Sequence, residues 1–93
     1  MWVYLDRGDI AGAEAVQLWA RDLSMRTQPD LRSRAVADYN LACFYSRVER
    51  PEEALPLLRV SFENDPRLKE WSHQDPDIDP IRDDPRVKEL LAT

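Results

Sequence analysis

Apolar residues recur every three to four positions through two stretches in the middle of the chain. In the first, Val36, Tyr39 or Asn40, Cys43 or Phe44, and Arg47 or Val48 keep that spacing. In the second, Ala54, Leu58, and Ser61 or Phe62 keep it. A period near that of the α-helix gives each stretch a single apolar stripe. Between them, Arg50-Pro51-Glu52-Glu53 reads as a helix start. Proline suits the first helical position, and the carboxylates lie over the positive end of the helix dipole. The pattern predicts two antiparallel helices joined by a tight turn, within residues 35–66.

The order of residue sizes inside that hairpin is more specific. Leu41-Ala42, Tyr45, Ala54, Leu58, Ser61 and Pro66 follow one another at set intervals. Small side chains at Ala42, Ala54 and Ser61 allow two helices to approach closely, and Leu41, Tyr45 and Leu58 fill the space around them. Pro66 ends the second helix, because it has no N–H and clashes with the preceding turn. This series resembles the tetratricopeptide repeat, a helix–turn–helix unit of about 34 residues. Asp38 stands where that family usually has an aromatic, and Glu49 where a turn glycine is common.

Residues 1–27 resemble a shortened second copy. Tyr4, Ala13 and Ala20 stand 41 positions ahead of Tyr45, Ala54 and Ser61. Gly8 then falls at the turn, Asp9 is a candidate N-cap, and Gln17 takes the place of Leu58. The separation exceeds one repeat by about seven residues, which makes 28–34 an insertion; Pro29-Asp30 breaks the chain there, and the next helix extends forward to Leu31. Residues 67–93 form a tail. The run from Asp75 to Ile81 contains two prolines and excludes a regular α-helix, while Asp84-Pro85 opens a last short helix bearing Val87, Leu90 and Leu91. The sequence from Trp71 to Leu91 resembles the segment that follows the last repeat in bacterial tetratricopeptide proteins, which implies a cap over the final hairpin. The expected architecture is thus all-α: a short tetratricopeptide-like solenoid of one partial repeat, one full repeat and a capping tail, in one domain.

Composition narrows the function. The chain has 93 residues, two glycines, one cysteine and a net charge of −5. That charge disfavours nucleic acid and anionic membranes as partners. One cysteine excludes an internal disulfide framework and suits a reducing cytoplasm. No apolar run approaches the roughly 20 residues that span a bilayer, and no signal-peptide pattern follows Met1. The expectation is a cytoplasmic protein with no cofactor.

Catalytic and metal chemistry find little support. Cys43 and His73 are the candidates for nucleophilic chemistry, with neither a serine elbow nor a glycine-rich phosphate loop beside them. A small apolar side chain is ordinary at Cys43 on a helix. Asp75, Asp77 and Asp79 match the opening of a calcium loop, but the sixth position is Pro80 rather than glycine and the twelfth is Arg86 rather than glutamate. Helix capping by Asp75, Asp77 and Asp84 accounts for these acids instead. Arg32, Arg34, Arg47 and Arg50 form local positive patches that read as solvated helix faces, with Arg34 and Asp38 spaced to pair on one surface. No catalytic, cofactor or metal residue is assigned.

The resemblance implies protein–protein interaction. In this family the first helix of each repeat lines a concave groove that takes an extended peptide or a partner helix. The matching positions here are Val36, Tyr39, Cys43, Ser46 and Arg47, with Tyr39 and Arg47 the expected contacts. The Lys and Asn that some members use to clamp a C-terminal carboxylate are not matched, since those positions hold Tyr39 and Cys43. A second surface comes from the shortened copy. Trp2, Tyr4 and Leu5, with Trp19 on the following helix, form an apolar patch of the kind that marks interfaces. It implies a homodimer, or contact with a preceding repeat in a longer array, in which case the chain is an oligomerisation or capping element without a ligand of its own.

Overall fold

The computed structural model describes residues 10–27 and 30–92. Among these residues every regular element is helical: α1 (Ile10–Thr27), α2 (Leu31–Arg47), α3 (Pro51–Asn64), α4 (Arg67–Ser72), a 3-10 helix (Pro76–Ile81) and α5 (Pro85–Ala92). The expected all-α class holds for them. Trp2, Tyr4, Leu5, Gly8 and Asp9 lie outside the described residues.

Helix α2 begins at Leu31, inside the segment read as an insertion. Asp30 fixes the start: its extended backbone stands outside the helix, and its carboxylate accepts from the Ser33 backbone N–H at 2.8 Å and from the Ser33 hydroxyl at 2.9 Å. That satisfies donors that the first turn leaves open. At the other end the chain makes a Schellman turn. Glu49 N–H donates to Ser46 O at 3.0 Å and Arg50 N–H to Tyr45 O at 2.8 Å. Glu49 itself is left-handed, with φ 58°, the conformation that glycine adopts without steric cost. The departure from a turn glycine is real in the backbone. The Arg50 guanidinium lies 5.0 Å from the centre of the Tyr45 ring, taking the place of the apolar contact that usually closes this motif.

Pro51 then opens α3, with Glu52 and Glu53 in its first turn. The helix runs on through Pro56, which supplies no N–H for the Glu52 carbonyl; Pro56 is exposed, so water reaches the interrupted turn. The hairpin of α2 and α3 carries the core. Ala42, Ala54, Leu58 and Ser61 are fully buried, with Leu41 and Tyr45 nearly so, and the Ser61 hydroxyl donates to Leu58 O at 2.9 Å within its own helix. These are the sizes expected at those positions. Helix α1 packs on α2, with its Ala13 and Gln17 buried.

Polar staples hold α1 in register. Tyr45 Oη donates to Glu14 at 2.7 Å, and Arg50 Nη1 reaches the same carboxylate at 3.3 Å. Arg21 Nε meets Asp38 at 2.7 Å, and Asp38 is 3% exposed. Asp38 was expected on a surface beside Arg34. It instead occupies the α1–α2 interface, because α1 covers that side of the helix.

The tail closes the structure. The run from Asp75 to Ile81 is indeed not α-helical; Asp75 caps a 3-10 helix over Pro76–Ile81, longer than the roughly three or four residues common for that conformation. It packs on α2, with Ile78 and Ile81 buried, while Val87 and Leu91 of α5 complete the core beside α3. No helix among the described residues is long and apolar enough to cross a membrane.

Candidate functional site

The face of α2 that bears Val36, Tyr39, Cys43, Ser46 and Arg47 is divided in two. Its C-terminal half is covered by this chain's own tail. Asp75 is the hub of that cover. Its Oδ2 accepts from Tyr39 Oη at 2.7 Å and Trp71 Nε1 at 3.1 Å, and lies 3.9 Å from Cys43 Sγ. One turn further along α2, Ser46 Oγ donates to the Asp77 carbonyl at 2.6 Å and Arg47 Nη1 to the Asp77 carboxylate at 3.2 Å. Arg82 Nη2 donates to the Asp75 carbonyl at 2.8 Å, tying the far end of the segment to its start.

Tyr39, Cys43 and Ser46 are therefore buried, at 4%, 3% and 0% exposure. Each faces residues 75–77 rather than solvent. Burial also pushes the Tyr39 hydroxyl and the Cys43 thiol far above their ordinary pKa values, with the neighbouring Asp75 carboxylate adding to both. Thiolate chemistry at Cys43 has no support in this setting.

Cys43, Asp75 and Asp77 bring ligand atoms within 4.8 Å of one another, a spacing that would suit a cation. Their chemistry does not. Asp75 Oδ2 is already bonded by the tyrosine and tryptophan donors, and the Arg47 guanidinium occupies the Asp77 carboxylate. The cluster is a hydrogen-bonded latch on the tail.

The N-terminal half of the same face is open. A cleft of about 430 Å³ lies between α1 and α2, lined by Ser24, Arg32, Ser33, Val36, Ala37 and Asn40. A smaller recess of about 70 Å³ continues it toward Gln17 and Arg21. Val36 is 40% exposed and Asn40 is exposed. Of the five positions expected in the groove, Val36 alone lines the open cleft; Arg47 stays exposed but is paired with Asp77. Asn40, Arg32, Ser33 and Ser24 line the cleft without matching the groove positions that the resemblance implies. The signal for Asn40 was present, since it shares a helical face with Val36, four residues earlier.

A second exposed surface lies on α1. Trp19 is 62% exposed, and Leu23, one turn later on the same face, is 39% exposed. The other members of the expected aromatic patch, Trp2, Tyr4 and Leu5, fall outside the described residues. His73 ends α4 in a surface recess with Arg67 and Trp71. No family model, curated protein or solved structure matches this chain.

Proposed function

We propose that this chain is a protein–protein interaction module of tetratricopeptide type, which holds an extended peptide in the cleft between α1 and α2. The observation that carries the reading is the cleft itself. It combines an exposed apolar side chain, Val36, with an exposed amide, Asn40, one turn apart on a helix held rigid by the core. An amide both donates and accepts, so it can pair with the N–H and C=O of an extended backbone, and a valine beside it offers a contact for one side chain. The tail supplies a precedent within the chain: α2 already holds the Asp75–Asp77 segment through the Tyr39 and Ser46 hydroxyls and the Arg47 guanidinium, which donate to its carboxylates and to the Asp77 carbonyl.

Selection from a displayed random-peptide library tests this. Binders are expected to emerge that lose affinity for Val36→Asp and for Asn40→Ala while retaining it for Trp71→Ala, with the helical circular-dichroism signal of all three variants unchanged. Selected peptides that bind the Val36 and Asn40 variants normally would remove the cleft from consideration.

Trp19 and Leu23 favour a second reading, in which the chain is an oligomerisation or capping element and this face of α1 packs on another helical unit. Light scattering after gel filtration separates the two. A dimer that becomes a monomer in Trp19→Ala supports the second reading, and a monomer at all concentrations counts against self-association.

A further inference from the structure

The charge around the open cleft is unlike that of the chain as a whole. The chain carries 18 acidic and 13 basic residues, yet the residues lining the cleft and its recess include Arg32 and Arg21 and no carboxylate. The first turn of α2, which forms one end of the cleft, also contains no acid, and the dipole at that end is met by the Asp30 cap. Of the two arginines, Arg21 is already neutralised by an ion pair, so the unbalanced charge is that of Arg32. Asp38 is buried against Arg21, and Asp30 caps the Ser33 backbone and hydroxyl.

Arg32 is the residue this arrangement leaves available. Its ion-pair partner is Asp65, at 4.0 Å, the Asp30 carboxylate also feels its charge, and its side chain is 68% exposed. Asp65 is held more closely by Arg67, through Nε to Oδ1 and Nη2 to Oδ2, both at 3.1 Å. A carboxylate gripped in that two-pronged way by one guanidinium has little left for a second. Arg32 therefore lines the cleft with its guanidinium only loosely held, beside Ser24 and the Asn40 amide.

We infer that the peptide taken by this cleft is acidic: an extended segment with a Glu or Asp placed against Arg32 and an apolar side chain against Val36. This inference rests on the cleft reading above and specifies its partner.

Fluorescence anisotropy with three labelled peptides of equal length tests it. Each carries a central Leu, flanked by Glu in one, Gln in the second and Lys in the third. The Glu peptide is expected to bind about three- to tenfold more tightly than the Gln peptide, and the Lys peptide least. That preference should shrink between roughly 20 mM and roughly 500 mM sodium chloride. Arg32→Glu should abolish or invert the order and Arg32→Lys should weaken it, whereas Arg59→Glu on α3 should leave it intact. If the Glu and Gln peptides bind alike and Val36→Asp removes both, the cleft stands as a peptide site and its acidic preference is overturned. If none of the three binds, the inference falls together with the cleft reading. Equally strong Arg32-dependent binding of heparin would also overturn it, by showing attraction for any polyanion.

Discussion

Two residues show how single positions shape this molecule. Glu49 occupies the left-handed position of the turn between α2 and α3, where a side chain with a Cβ costs about 1 kcal/mol relative to glycine. Glu49→Gly is expected to raise stability by roughly 0.5–1 kcal/mol, measured by denaturant unfolding with an unchanged slope. Asp75 has the opposite role. Asp75→Ala leaves the Tyr39 hydroxyl and Trp71 N–H without their acceptor and loosens the cover over Cys43. A loss of about 1–3 kcal/mol is expected for removing a buried acceptor. Native-state labelling of Cys43 by a thiol reagent should become faster, because the thiol loses its shelter; an unchanged labelling rate would show that Asp75 does not hold the tail down.

At the scale of elements, Pro56 interrupts the backbone hydrogen bonding of α3 without serving a turn or a cap. Pro56→Ala should restore the bond to the Glu52 carbonyl and stabilise the helix, by up to about 3 kcal/mol, seen as a higher melting temperature. The helices themselves were legible in the chain. The 3.6-residue period placed the hairpin of α2 and α3, the Pro51 start and the proline stop at Pro66, and the small-residue positions Ala42, Ala54 and Ser61 all proved buried. The front of α2 was less visible, because Leu31 is 58% exposed and joins no apolar stripe; only its Asp30 cap marks it. The seating of the tail on α2 could not be read from hydropathy. It is made by Tyr39, Ser46 and Arg47 meeting Asp75 and Asp77 across about thirty residues of chain, and polar contacts of that range leave no periodic trace. For the same reason Tyr39 and Ser46 look like groove contacts in the sequence but are covered in the fold.

For the whole molecule, carboxylates held by hydrogen bonds govern the response to acid. Hydrogen bonds from Arg86 hold Asp84 down to about pKa 2, and the Tyr45 hydroxyl, Ser33 and Arg67 lower Glu14, Asp30 and Asp65 in turn. Groups whose pKa is depressed on folding stabilise the fold above their unfolded values, and that contribution fades as pH falls through the folded ones. The melting temperature is therefore expected to decline as pH drops from about 4.5 toward 2. At the alkaline end Tyr45, pushed up to about 12 by burial and by its bond to Glu14, contributes stability below pH 10 that is lost as pH rises through 12. A melting temperature flat across the acid window would contradict the roles given to these pairs.

The division of the α2 face is the central feature: half closed by the tail, half open between α1 and α2. The most direct measurement is amide chemical-shift mapping of the ¹⁵N-labelled chain titrated with a display-selected peptide. Shifts are expected to concentrate at Ser24, Ser33, Val36, Ala37 and Asn40, with Tyr39 and Asp75 little changed. Shifts centred on Trp19 and Leu23, or on Trp71 and His73, would contradict this and place the interaction surface elsewhere.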